Sequence, residues 1–586
     1  MSPRAGAMAL AAAGVGLYVA LCLASMRWSA CTFDEPIHLP PGYVSWTLGD
    51  HRMNPDHPPL LRRVAALPLL FMHVTVHTDD HAWLVSRPWE FGKRFLFRWN
   101  DAAPLLFWGR LSMIVWVGSA LALAVFAWTK RLWGPGAAAF AVFLYVLNPD
   151  MLAHGQIIAN DLGITLFLFL GVAAFERLTE RVTAARVAMV GLALGAGLAT
   201  KFSAVALLPI LGALTLIVAL RPEPLVVDLG RGAPRTVSTR AGRLAVLLGS
   251  FVPMGVLAAL VVWAAYGFHS PLARDPIVNA AFDWTRIQPP HPLVRGLFAL
   301  VRRLQLMPDA WTYGFLHFLD HATTRPAFLM GEYGETGWRH YFLVTFAVKT
   351  PIPLLLLGAA GLGLAVRGAA GWRRESFVWV PFTLYFLMAV SRTINIGHRH
   401  LLPVYPFLFV AAGRAAAWLW NRGPASRLRA GRAAVVALLG WYAAGTLRVH
   451  PHYLAYFNEL AGGPANGYKY LVDSNLDWGQ DLIGLRVYME KNAVPRLKLL
   501  YFGTADPGYY GIACDRLPGY QPPPPSTLVR EVNPGDIVAV SATHLQGVYL
   551  DPEVRALTEK LRARRPLAVI GHTIFIYRAD FAWSMS

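Results

Sequence analysis

The chain has 586 residues, of which 55% are hydrophobic and only 15% charged, against roughly 25% charged in soluble proteins. A formal net charge of +19 would suit a nucleic-acid binder, but the apolar residues fall in runs of membrane-spanning length and the basic ones in the short gaps between them. Disordered, fibrous and nucleic-acid-binding chains are thereby excluded, and a polytopic α-helical membrane protein is expected.

The first apolar run, 7–26, follows Arg4 and is long enough to span a bilayer. It reads as a retained anchor, with a cleaved leader as the alternative. Further spans are predicted near 105–128, 135–152, 161–175, 187–200, 202–220, 244–266, 341–366, 376–391, 401–420 and 433–447, about eleven in all. With the N-terminus inside, the basic clusters at 130–131, 177–186, 221–243, 367–374 and 422–432 are all cytoplasmic, while all 18 histidines and most acids face outward. Chemistry is therefore expected outside.

Three outer segments are long: 27–104 and 267–340, within a transmembrane domain over 1–447, and then 448–586. The last predicts a small extracytoplasmic α/β domain, with strands at 468–472, 497–502, 537–541 and 567–577, a helix after Asp477 and another over 552–563. No inverted pair of interrupted spans marks a transporter. Cys22, Cys31 and Cys514 form no metal-ligand spacing, and the sequence leaves open whether Cys31 pairs with Cys514.

Directly after the first span stand Asp34 and Glu35. Adjacent carboxylates raise one another's pKa, and one held partly dry suits a general base toward a hydroxyl; a solvated pair at a helix end is the plainer reading. The stretch Asn54-Pro55-Asp56-His57-Pro58-Pro59 then precedes Arg62 and Arg63, placed to meet an anionic head group or simply to anchor an interfacial helix. His154, Asn160 and Asp161 share the next outer turn, where Asp161 reads either as a helix cap or as a site acid. Lys201 lies between two apolar runs with almost no polar loop, where it must snorkel, line a cavity or meet a counter-charge such as a phosphate diester. Arg399 occupies a similar outer helix start, where its fork can grip phosphate. Trp478, between Asp477 and Gln480, suits either stacking on a sugar or burial beside a helix start.

Asp34-Glu35-Pro36, Asn54-Pro55-Asp56-His57-Pro58-Pro59-Leu60, Asn160-Asp161, Ala199-Thr200-Lys201 and Arg399-His400-Leu401-Leu402-Pro403-Val404-Tyr405-Pro406-Phe407 together resemble the family 39 glycosyltransferases, the dolichyl-phosphate-mannose-protein mannosyltransferase-like enzymes of bacteria. The resemblance covers about residues 1–450. Two further stretches, the run from Gly331 to Phe342 with Lys349-Thr350-Pro351-Ile352-Pro353 and the run Asp473 to Asp481, resemble a bacterial subgroup, without a role attached.

The resemblance implies a C-type glycosyltransferase fold that transfers a sugar from a polyprenyl-phosphate donor to a hydroxyl acceptor on a protein, lipid or glycan, at the outer face of the bacterial inner membrane. It implies Asp34 as catalytic base, Glu35 in support or toward the acceptor, and Asp161 completing a second acidic motif. Lys201 and Arg399, with Arg62, would meet the donor phosphate, and His57, Asn160, His154 and Trp478 the substrates. Asn160 departs from the paired-aspartate form of that second motif, so no metal is assigned. No cofactor is required on this reading; a divalent ion through Glu35 and a histidine is an option the spacing does not compel. The rival readings are a transporter or flippase of a lipid-linked or envelope substrate, and an envelope scaffold.

Overall fold

A computed structural model describes residues 3–230, 233–280, 282, 291–321, 325–368, 372–421 and 424–585; Arg231 and Arg422 of the basic clusters lie outside them. All eleven apolar segments fall on helices. Among the described residues six helices are long and apolar enough to cross a membrane, or eight if each of two bent pairs is one span. The pairs break at proline: Pro135–Val146 turns by 61° into Pro149–Gly155, and Tyr341–Lys349 by 110° into Ile352–Val366. Proline lacks the N–H that would continue the first helix but suits the first turn of the next. The remaining three, Asp161–Leu178, Ala184–Leu198 and Trp372–Val390, are short or carry charges in their end turns, and Asp161–Leu178 is buried against other helices over most of its length.

The two ends of this multi-pass bundle differ chemically. At one end arginines tie helix termini together: Arg131 pairs with Glu176 (3.1 Å) and Glu180 (2.5 Å), Arg374 donates to the Leu132 carbonyl (3.0 Å) and Arg243 to that of Ala219 (3.0 Å). Cations there answer the free carbonyls of last turns. The opposite end carries Asp34, Asp161, Lys201 and Arg399, each beside a helix start or break.

After the helix Ala425–Arg448 the chain builds a five-stranded sheet in the order Ala568–Ile570, Ile574–Arg578, Ile537–Ser541, Leu497–Leu500, Cys514–Arg516. The last three strands run parallel, with Leu499 opposite Ala539 and Arg516, and the first two close the sheet antiparallel. Period-two alternation sorts its faces. Leu497, Leu499, Ala539, Ile574 and Ile576 share a core with Leu482, Leu485 and Met489 of helix Leu482–Lys491, while Leu500, Val538, Val540 and Phe575 share another with Val554, Leu557 and Leu561 of helix Pro552–Arg562.

One expected strand is not there. Tyr468–Val472 lies at a 3-10 turn, Pro464–Lys469, followed by Asp473 at φ +56°. Gly467 lies so close to the Phe457 ring that a Cβ would sit 2.3 Å from it. The apolar character of 468–472 reports burial: Leu471 and Val472 are buried and Tyr468 packs on Phe575. Short strands at Cys514–Arg516 and Glu531–Val532 add to those expected.

Candidate active site

Asp34 occupies the N-cap position of helix Glu35–Thr47 yet makes no side-chain cap. Its Oδ2 accepts instead from Arg399 Nη1 at 2.9 Å, across 365 residues of sequence. Glu35, one residue on, points the other way and is fully buried. Its carboxylate takes a two-pronged bond from Arg110, at 2.8 and 2.6 Å, and further bonds from the backbone N–H of Thr32 (2.8 Å) and Ile158 (3.3 Å). Arg110 spends its other donors on the carbonyls of Ser29 and Ala30. Glu35 thus locks the turn that presents Asp34, and touches neither the cavity nor bulk solvent.

Asp161 opens its helix with no cap from Asn160. Its Oδ1 lies 2.6 Å from Lys201 Nζ and its Oδ2 3.7 Å from Arg399 Nη1. Lys201 can reach it because helix Ala184–Leu198 stops and a 3-10 turn over Phe202–Ala206 begins just beyond the lysine. Arg399 bridges both acids, and its guanidinium stacks 4.5 Å above the Trp478 indole, a geometry in which the ring quadrupole attracts the cation. Trp478 is 1% exposed, so it supports Arg399 from beneath. His154 lies edge-on to the same indole. The His154 Nδ1 and Asn160 Nδ2 are buried without a hydrogen-bond partner.

His57 donates from Nδ1 to Asn54 Oδ1 at 3.1 Å and meets His38 edge-on at 5.0 Å. Burial, and then the neighbouring His38, holds the His57 imidazole well below its ordinary pKa. Burial brings His38 down to about 4. Both rings are therefore neutral near pH 7. Arg62 is buried and donates to the Asn54 carbonyl at 2.7 Å, so it braces the loop bearing Asp56 and His57 from behind.

Of these groups, His57, Asp161, Lys201 and Arg399 line a cavity with an empty volume of about 820 Å³, and Asp34 reaches it through Arg399. Its polar end holds Lys201, Arg399, Arg392, Asp161, His57 and His400; Phe202, Phe318, Tyr385 and Met388 supply apolar wall. Asp56 also faces it and takes a 2.5 Å bond from His317, which raises the His317 pKa. Lys201, Arg392 and Arg399 thus face the carboxylates of Asp34, Asp161 and Asp56, the last of these bonded to His317.

The terminal α/β region completes the site. The N–H groups of Ala30 and Phe33 donate to the carbonyls of Gln480 and Trp478, both at 2.8 Å, that of Cys31 to the Tyr510 hydroxyl at 2.8 Å, and Thr504 Oγ1 to the Phe33 carbonyl at 2.7 Å. The segment leading into Asp34 is thus held by residues more than 440 positions later. Lys349 Nζ donates to the carbonyls of Leu454 (2.8 Å) and Asn475 (2.7 Å) beside the Asp150 carboxylate, and Asn475 Oδ1 accepts from the His398 N–H at 2.7 Å. Cys22, Cys31 and Cys514 are all free thiols.

Sequence reasoning did not assign Arg110, Arg392 or Lys349 a place here. Of these only Lys349 carried a signal, in its Lys-Thr-Pro-Ile-Pro run. Among the described residues no group of three or more His, Cys, Asp or Glu side chains is arranged to hold a metal ion.

No family model and no curated protein matches the chain. Among solved structures it is similar to ArnT from Cupriavidus metallidurans in the apo state, with 11% identity, 98% of each chain covered and a TM-score of 0.47. It is also similar to the same protein bound to undecaprenyl phosphate, with 12% identity, 98% of each chain covered and a TM-score of 0.45. The archaeal oligosaccharyltransferase AglB from Archaeoglobus fulgidus, in complex with an inhibitory peptide and a dolichol-phosphate, matches at 11% identity over 95% of this chain and 72% of that one, with a TM-score of 0.46.

Proposed function

We propose that this protein is a C-type glycosyltransferase of the inner membrane, which moves a sugar from a polyprenyl-phosphate donor to a hydroxyl acceptor at the extracytoplasmic face. The observation that carries the reading is the cavity itself: apolar walls lead to Lys201, Arg392 and Arg399, and the carboxylate of Asp34 is bonded to Arg399 at 2.9 Å. An isoprenoid chain suits the walls and its phosphate the cations. The arginine-tied end of the bundle is cytoplasmic by the positive-inside rule, which puts this cavity outside.

Asp34 accepts the acceptor hydroxyl's proton as its oxygen attacks the anomeric carbon from the face opposite the phosphate. The C–O bond to the lipid phosphate breaks in the same displacement, inverting the centre. The departing phosphate gains a second negative charge, and Lys201 and Arg399 stabilise it as it forms; fixed cations in a dry site reward that change strongly. Asp161 keeps both cations aimed while the site is empty. No nucleotide or redox group enters this scheme.

The test is reconstitution of the pure protein in vesicles with a panel of radiolabelled polyprenyl-phosphate sugars and candidate acceptors. Asp34→Asn should lower transfer by roughly 10²–10⁴-fold, the usual share of a general base. Undiminished transfer would remove Asp34 from that role, and lipid translocation without transfer would replace the reading by a flippase.

A further inference from the structure

Helix Pro292–Arg303 is amphipathic but has no buried residue. Leu293, Leu297, Leu300 and Leu304 recur at i, i+4, i+7 and i+11, which places them within about 60° of one another around the axis. They are 77, 58, 49 and 56% exposed. Val294, Phe298 and Val301, on the neighbouring sector, are half-buried. There Phe298 stacks on Phe315 of helix Asp309–His321, ring centres 5.0 Å apart. Arg295 and Arg302 hold the sector opposite the leucines, with Arg302 paired to Asp309 at 3.4 Å; Arg303 flanks the leucine face, and the helix contains no acid.

Its surroundings identify what covers the leucines. Trp263, in the last turn of helix Arg240–Ala265, donates from its indole N–H to the Leu306 carbonyl at 3.3 Å. That helix is long and apolar enough to cross a membrane. Its Leu248, Val252, Val256 and Leu260 form an exposed stripe at i, i+4, i+8 and i+12, as a lipid-facing surface does. The C-terminal end of Pro292–Arg303 is thus tied to the outer end of a span, where acyl chains give way to head groups. Long arginine side chains beside such a face reach the phosphate layer while their stems stay apolar.

We propose that helix Pro292–Arg303 lies in the plane of the membrane interface, its leucine face among the upper acyl chains and Arg295 and Arg303 toward anionic phospholipid head groups. Docked there, it fixes one wall of the cavity on the bilayer surface. Phe298 bears on Phe315, Phe315 packs on Phe202 at 5.3 Å, and Phe202 and Phe318 line the cavity. The docking itself is independent of what the cavity binds.

Full-length protein in nanodiscs tests this. A Leu297→Cys variant and an Arg295→Cys variant each receive an environment-sensitive fluorophore, the three native cysteines being buried. In discs of phosphatidylcholine with phosphatidylglycerol, the probe at 297 should be quenched several-fold by spin label on the upper acyl chain and barely by aqueous iodide, with the reverse at 295. Combining Arg295→Glu with Arg303→Glu should release the 297 probe to iodide in discs containing phosphatidylglycerol, without changing the melting temperature. Equal iodide access at 297 and 295 would overturn the proposal. Protection of 297 only in discs holding two copies would assign the face to self-association instead, and insensitivity to the charge reversal would remove the anionic lipid.

Discussion

Replacing Glu35 by glutamine separates the two adjacent acids by what they hold. Glu35 accepts four hydrogen bonds and carries the charge opposed to Arg110, with the Arg110 side chain 4% and the Glu35 side chain 0% exposed. Glutamine keeps the shape but leaves the guanidinium without a counter-charge, its remaining partners being two carbonyls. Breaking a buried pair on one side costs about 3–5 kcal/mol. At roughly 2 °C per kcal/mol, the low end for large domains, Glu35→Gln should melt about 6–10 °C below the parent in nanodiscs. Transfer per folded molecule, measured well below the transition, should fall far less than in Asp34→Asn. Asp34 is partly exposed and its partner Arg399 keeps Asp161 close by, so Asp34→Asn should melt near the parent while losing transfer. A Glu35→Gln protein that melts like the parent but has lost transfer would refute this division of roles.

Arg399→Lys keeps the charge but loses the planar guanidinium, whose Nη1 faces Asp34 and Asp161 together and which stacks on Trp478; a rise in donor KM of roughly tenfold or more is expected, and an unchanged KM would contradict the phosphate role. Lys349→Met removes the bonds to Leu454 and Asn475 and strands Asp150; hydrogen exchange over residues 473–480 should accelerate, and unaltered protection there would deny Lys349 its hold on the loop. Asp477 is pushed up to about 7 from 3.8, chiefly by burial. Its neutral form is favoured in the fold, so the stability it contributes is full below about pH 4 and is lost as pH rises through 7. Asp477→Asn should flatten that part of the stability profile, and an equally steep slope in the variant would show that another group sets it.

What could be read from sequence was whatever local spacing records. Apolar runs of bilayer length and arginines at alternate gaps located every helix of the bundle, and the isolation of Lys201 between two such runs marked a buried cation in need of a partner. That the partner is Asp161, 40 residues earlier, is geometry of the fold. Glu35 and Asp34 look equivalent as a dipeptide; only the approach of Arg110 from a later helix separates them. Trp478 offered a polar neighbourhood suited to a sugar, yet its indole is covered by Arg399, 79 positions before it. Tyr468–Val472 had strand composition, but glycine at 467 and a left-handed Asp473 turn the backbone into tight loops whose apolar side chains serve burial. Arg392 lacks any distinguishing neighbour in sequence and enters the cavity lining because helix Trp372–Val390 ends beside it.

The bonds from Ala30, Cys31 and Phe33 to Gln480, Tyr510 and Trp478 also set an order of events during synthesis. While a ribosome is still making the helical bundle, Asp34, Asp161 and Lys201 are already in the membrane, but the indole beneath Arg399 and the carbonyls that fix the approach to Asp34 have yet to be translated. A nascent chain is therefore unable to assemble this centre until residues 478–510 have been made and have packed onto the segment that follows the first helix.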